Sequence, residues 1–326
     1  MINVVRMDCL PLVEKYRPQK LDDIVGNKNQ IIFLKKFIET GNIPNLLLNG
    51  EPGGGKTSAV VAFAKEYLGE LYNEYCLDLN ASDERGIEVV RSKIRIFSQR
   101  RACNDKYKLI ILDESDNMTN AAQLALRRIM EQYVDTTRFL FTCNNIDNII
   151  SSIQSICKIM FFGRIDKEDI IDRLVIVTEM EGIRVDREGL ESIVDLSVSR
   201  TDLREMLNRI ELVKANYEGE VEIGKNEIYG LCDKPSPLVV KSFLQSLENR
   251  DLKGCINLIN ELKKDGYPCS DICITLNTEI INCNMDEDLK RRLLMIIGNY
   301  NMMFLEGNDS LLMIGAMICK MYKEYL

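Results

Sequence analysis

An α/β domain built on a parallel sheet, followed by an all-helical remainder, is the architecture this sequence predicts. Three observations carry the prediction. Up to about Gly163, short apolar runs alternate with helix-length amphipathic stretches. Such continuously apolar runs mark strands buried on both faces, as crossover helices require of a parallel sheet. Beyond that point strand-like runs stop and helical spacing takes over. The chain is also 326 residues long, too long for one ordinary core, so two or three domains are expected.

The expected strands are residues 45–49, 76–80, 109–112, 138–142 and 159–162. Between the first two, residues 57–68 form an amphipathic stretch that Gly69 can close as a C-cap. Residues 166–181 read as a helix stopped by Gly182, and 186–196 as another. Thr201-Asp202 is an N-cap signal before a helix over 203–213. A polar stretch, 216–225, leads to a further short helix. Asp233-Lys234-Pro235-Ser236-Pro237 then breaks the chain, because proline cannot continue a helix. From Leu238 onward apolar residues recur at helical spacing, as in Val239, Val240, Phe243, Leu244 and Leu247. The resulting division is 1–163, 164–231 and 232–326.

Composition narrows the chemistry. The chain is 46% hydrophobic and 28% charged, with a net charge of -8. A sizeable core can form. Binding nucleic acid with the whole surface is disfavoured, though a local basic face is not. Histidine is absent and the eleven cysteines are scattered without a C-x-x-C pair. A zinc site would need cysteines alone at poor spacing, and histidine triads or general bases are excluded. Carboxylates, Lys, Arg, amides and hydroxyls are left for any reaction. The N-terminus meets an acid and a proline too early for a secretory signal. The apolar run 311–319 is about half of what a membrane span needs. A cytosolic or nuclear protein is expected.

Gly50-Glu51-Pro52-Gly53-Gly54-Gly55-Lys56-Thr57 fits G-x-x-x-x-G-K-[ST] completely. Glycines let backbone N–H groups turn inward around phosphate oxygens, and the following helix points its positive end there. Lys56 is placed to reach the β- and γ-phosphates and Thr57 to hold Mg²⁺, with Ser58 next along the helix. The third strand ends in Asp113-Glu114, at the carboxyl edge where such sheets bind ligands. Asp113 suits Mg²⁺ and Glu114 suits polarising a water. The fourth strand ends in Thr142-Cys143-Asn144-Asn145, where an amide can sense the γ-phosphate.

A second feature is basic. Residues 91–101 read RSKIRIFSQRR, five bases with no acid. On a helix Ile87, Val90, Ile94 and Phe97 can face inward while Arg91, Lys93 and Arg95 face out. Tracking a phosphate backbone needs only such charges, although an ordinary solvated face has the same pattern.

Taken in order, these motifs resemble the small subunits of replication factor C, the eukaryotic and archaeal clamp loader. The segments are Val13-Glu14-Lys15-Tyr16-Arg17-Pro18, Ile24-Val25-Gly26-Asn27, the phosphate loop, and Asn80-Ala81-Ser82-Asp83-Glu84-Arg85-Gly86-Ile87. Ala125-Leu126-Arg127-Arg128-Ile129-Met130-Glu131, Cys232-Asp233-Lys234-Pro235-Ser236-Pro237 and Asp309-Ser310-Leu311-Leu312 continue it. The last segments are most similar to the subunit numbered 2 in human and 4 in yeast naming. The resemblance implies a RecA-like AAA+ module, a small helical lid and a helical collar that assembles a heteropentamer. It implies ATP and Mg²⁺ as cofactors, and a nuclear ATPase that opens the PCNA sliding clamp and loads it at primer–template DNA. It further implies that Tyr16, Arg17, Pro18 and Val25 line the adenine pocket. Asn144 would be sensor 1 and Arg204 sensor 2, acting with Lys56 and Glu114. Arg85, Ile87, Arg91 and Lys93 would face DNA.

Two departures stand out. Gly53-Gly54-Gly55 replaces the family's usual Gly-Thr-Gly, which keeps the cradle but loosens it. Ser155-Ile156-Cys157 replaces Ser-Arg-Cys, whose arginine is the finger given to a neighbouring subunit's ATP. Lys158 could substitute if the segment were extended, since its side chain would then share the face of Ile156. An ATP-holding regulatory subunit with little turnover, or another AAA+ DNA motor, is the alternative reading.

Overall fold

The structure, a computed structural model, describes residues 10–81, 90–100, 106–197, 201–217, 223–231, 235 and 237–325. It divides into two compact units, Met1–Arg184 with Ile193–Glu220 and Val185–Ser192 with Val221–Leu326.

The first unit holds a five-stranded sheet: β1 (Leu46–Gly50), β2 (Cys76–Asn80), β3 (Lys108–Asp113), β4 (Thr137–Cys143) and β5 (Lys158–Phe162). All pairings are parallel, in the order β2-β3-β4-β1-β5. The expected strands are therefore present, each within a residue or so. Their apolar runs are continuous because the two faces go to different layers. Leu46 and Leu48 of β1, Leu109 and Ile111 of β3 and Leu140 of β4 face a layer that includes Phe63 and Leu34. Leu47, Ile110, Leu112, Phe139 and Phe141 face the other, with Leu126 and Met130. Each fully buried Leu or Phe of this kind contributes roughly 1.5–3 kcal/mol, so an exchange of either face for polar residues would be costly.

The helix Lys56–Leu68 starts directly after the glycine loop, with Gly55 at φ 82° before it and Gly69 at φ 60° behind it. Both have a positive φ, which glycine takes without steric cost. Lys167–Glu181 ends at Gly182, φ 70°. Leu203–Asn216 begins on Asp202, whose side chain accepts from the Arg204 N–H at 3.0 Å. These helices run as the periodicity predicts. Beyond Gly163 the described residues contain no further strand, only an isolated bridge between Val185 and Ile223.

The second unit includes five successive helices, Pro237–Glu248, Leu252–Lys264, Cys269–Asn282, Glu287–Leu305 and Leu311–Lys323. Their apolar faces share one core containing Phe243, Leu276, Ile297 and Met317. Asp251, Asp286 and Ser310 cap three of them by accepting backbone N–H bonds. Most of the expected break at 233–237 lies outside the described residues. Among the described residues no helix is long and apolar enough to cross a membrane.

Candidate functional site

The sheet order decides the site. β4 lies between β1 and β3, with Leu48 opposite Thr142 and Leu112 opposite Phe141. The carboxyl ends of three strands then come level, and each ends in polar residues. A cleft of about 320 Å³ opens there, and it is where the described structure places most of the expected site.

Lys56 is its centre. The side chain is 7% exposed. Its ammonium donates to the Gly50 carbonyl at 2.8 Å, the Glu51 carbonyl at 2.8 Å and Asn144 Oδ1 at 2.9 Å. All three donors are satisfied, which is what keeps a buried ammonium tolerable. Burial pushes its pKa below the ordinary lysine value, and the carboxylates of Asp113 and Asp116 partly offset this. A phosphate brought to Lys56 must therefore replace existing partners rather than meet a bare cation.

The glycines form a cradle that side chains would fill. Gly53 has φ +81°, and a Cβ on it would lie 2.7 Å from Asp202 Cα. Gly55 has φ +82°. Gly54 is different: its φ is not left-handed, and a Cβ would meet the Glu51 carbonyl at 3.3 Å and the Gly163 carbonyl at 3.7 Å. Asn27 steadies the loop by donating to the Gly54 carbonyl at 3.4 Å and accepting from the Gly163 N–H at 2.9 Å. Glu51 accepts two 3.0 Å bonds from Arg164.

The Thr57 hydroxyl donates to Asp113 at 2.9 and 3.1 Å. Two oxygens from different elements thus converge, as one or two carboxylate or hydroxyl ligands plus water would around Mg²⁺. The donor set and the glycine cradle both fit a magnesium–nucleotide. Thr142, whose hydroxyl also bonds Asp113, was not singled out by sequence reasoning; a hydroxyl at the end of an apolar strand was the available signal. Asp116 was likewise missed. Its Oδ2 accepts the Asn144 and Asn145 N–H groups, each at 3.1 Å, and so orients the end of β4.

Glu114 lies just beyond β3 at φ 51°, a left-handed conformation costing of order 1 kcal/mol or more for a residue with a side chain. Its amide donates to Asp113 Oδ1 and Thr142 Oγ1, both at 3.2 Å. Asn117 donates to its Oε2 at 3.3 Å. The backbone kink separates the two adjacent acids, giving Asp113 to Thr57 while Glu114 lines the same cleft without bonding Thr57.

Tyr16, Arg17, Pro18 and Val25 line the cleft, as do Ser58 and Arg204. Arg204 is 67% exposed and its Nε lies 3.4 Å from Asp202. Arg173, also on the lining, donates to the Tyr16 carbonyl at 3.3 Å; no motif pointed to it. Gly50 and Gly54 are in the loop but do not line the cleft.

The basic segment is described in part. Arg85 and Ile87 lie outside the described residues, as does the Arg91 side chain. Val90–Ile94 is a π-helical turn continued by the helix Arg95–Gln99. Ile94 and Phe97 are buried as expected, and Lys93 and Arg95 are exposed. The helix end is capped by the buried Lys108, which donates to the carbonyls of Phe97, Ser98 and Arg100.

Ile156 is exposed, at 36%. The segment is not extended there. The Ile156 N–H donates to the Ile153 carbonyl at 3.1 Å and the Cys157 N–H to Gln154 at 3.3 Å. Two-residue alternation therefore does not relate Ile156 to Lys158, and the shared-face geometry does not arise.

Residues 46–164 match the family described as ATPase family associated with various cellular activities (AAA), and 235–320 match the replication factor C C-terminal domain. The chain is 39% identical over 313 residues to replication factor C subunit 4 of Oryza sativa, covering 95% of this chain and 92% of that protein. It is 38% identical over 318 residues to replication factor C subunit 4 of Saccharomyces cerevisiae, covering 96% of each. Among solved structures it resembles the RuvB Holliday junction branch migration motor of Thermotoga maritima. That match has a TM-score of 0.54 at 15% identity, covering 70% of this chain and 79% of the other, a likeness of fold.

Proposed function

The chain belongs to the replication factor C family, among its small subunits, and carries the AAA ATPase domain; from that premise we propose that it hydrolyses ATP as one subunit of a heteropentameric clamp loader. In this reading the complex opens a PCNA-type sliding clamp and loads it at primer–template DNA in the nucleus. The observation that carries the reading is the convergence of Lys56, Thr57, Asp113, Glu114 and Asn144 in one cleft, inside a chain related over nearly its full length to such subunits.

Bound MgATP supplies the transferable phosphoryl group, and the chain supplies position and charge, the main contributions a protein makes to phosphoryl transfer. Lys56 would hold the β- and γ-phosphates on exchanging its loop carbonyls. Thr57 and Asp113 would hold Mg²⁺. Glu114 would orient and polarise the water. Asn144, already bonded to Lys56, would report the γ-phosphate as sensor 1, and Arg204 would approach as sensor 2. Tyr16, Arg17, Pro18 and Val25 would receive adenine. Arg85, Ile87, Arg91 and Lys93 would follow the DNA backbone. The division in this reading is 1–163, 164–231 and 232–326, with the last part mediating assembly; the family segments 46–164 and 235–320 speak for its first and last parts alone.

Native mass spectrometry of the complex isolated from its own cells tests this. Four replication factor C relatives at one copy each alongside this chain is the expected composition. A chain that purifies alone, or with partners unrelated to clamp loaders, would overturn it.

A further inference from the structure

The wall of the cleft that carries Tyr16, Arg17 and Pro18 has little support of its own. Leu12–Lys15 is a single four-residue turn, far below the length at which a helix sustains itself. Its attachments come from two helices outside the sheet. The Leu12 N–H donates to Glu211 Oε2 at 3.4 Å, and Arg173 donates to the Tyr16 carbonyl at 3.3 Å. Lys15 Nζ and the Tyr16 hydroxyl both donate to Glu181 Oε1, at 2.7 and 2.5 Å. Lys214, on Leu203–Asn216, donates to Glu181 Oε2 at 2.6 Å.

Glu181 is the last residue of Lys167–Glu181. An anion there opposes the helix dipole, so the helix itself has no use for it. The side chain is also 3% exposed. Burial alone would raise its carboxyl pKa, yet the bonds from Lys15, Lys214 and Tyr16 override that and hold it at about 2. A residue placed against both local preferences, with its donors supplied by other elements, is explained by those elements.

We propose that Glu181 is a positioning residue for the nucleotide base: it fixes Lys15 and Tyr16 to the Lys167–Glu181 and Leu203–Asn216 helices, so that the base end of the cleft is formed before nucleotide arrives. The proposal rests on the reading of the cleft as an ATP site. Glu181 does not line the cleft and touches none of the phosphate-loop groups, so its loss separates the two ends of the ligand. Base recognition suffers, because the wall must then be ordered on binding, while phosphate recognition is spared.

The test compares dissociation constants of the full chain for ATP and for inorganic tripolyphosphate, both with Mg²⁺. For Glu181→Ala, ATP binding weakens about tenfold or more and tripolyphosphate binding stays within about twofold. Lys15 and Lys214 are 30% and 46% exposed, so both can turn to water and no cation is trapped. Equal weakening of both ligands, or unchanged ATP affinity, overturns the proposal. Tyr16→Phe keeps the ring and removes the hydroxyl bond; if Glu181→Ala does not fold, an unchanged ratio of the two constants in Tyr16→Phe overturns it. A wild-type chain that binds neither ligand overturns the ATP-site reading instead.

Discussion

Lys56→Met separates what the phosphate loop does for the fold from what it does for nucleotide. In the free protein Lys56 makes three bonds, at 2.8, 2.8 and 2.9 Å. Losing them leaves the Gly50 and Glu51 carbonyls and the Asn144 amide oxygen without that donor. The same substitution removes an ammonium that burial already penalises. These effects oppose one another, since losing the ammonium relieves its desolvation while three acceptors lose a donor. Unfolding free energy should therefore move by no more than about 1.5 kcal/mol. Binding has no such compensation. Charge-assisted bonds are worth about 1.5–3 kcal/mol each, and Lys56 surrenders three acceptors to make them. The net loss on substitution is about 2–4 kcal/mol, roughly 30- to 1,000-fold in Kd. Titration with a fluorescent ATP analogue gives the affinity, and urea unfolding gives the stability. Unchanged affinity would refute the placement of phosphate at Lys56. A stability loss as large as the binding loss would refute the separation of roles.

Four further substitutions probe the rest. Glu114→Gln should bind ATP normally and hydrolyse it about 10²-fold more slowly or worse; if binding and turnover fall together, Glu114 is structural. Gly54→Thr should be tolerated and stabilise by about 0.4–1 kcal/mol through the unfolded chain, because Gly54 has no left-handed φ and only its 3.3 Å approach to Glu51 is tight; a loss of nucleotide binding in a folded variant would contradict this. Glu181 contributes stability that is complete above its ordinary pKa of 4.5 and is lost as pH falls towards about 2. The unfolding free energy of wild type minus that of Glu181→Gln should shrink over that window by no more than about 3 kcal/mol, and a pH-independent difference would dismiss the ion cluster. In the reconstituted pentamer with other sites silenced, Lys158→Ala should leave turnover at the neighbouring site little changed. Ile156→Arg should raise it if that site lacks only a finger, an effect worth about 10³–10⁵ elsewhere; a collapse with Lys158→Ala would make Lys158 the substitute.

Much of the site was legible because its parts are contiguous. Gly50 to Thr57 is a single run, and Asp113-Glu114 directly ends an apolar run. The strands could be read because burial on both faces leaves no polar residue to interrupt them, and Gly69 and Gly182 could be read as stops because few other residues take a left-handed φ readily. The tertiary structure alone decided that β4 inserts between β1 and β3, which is what brings Thr142 to Asp113 and Asn144 to Lys56. Parallel strands carry no mark of which neighbour they pair with, since each presents the same backbone donors and acceptors. It also decided that Lys15, Tyr16 and Lys214 share one carboxylate, 165 or 166 residues away in sequence for the first two. Periodicity reports how a residue sits in its own helix or strand; which lone acid meets which lone base depends on how separate elements pack, and no local pattern records that.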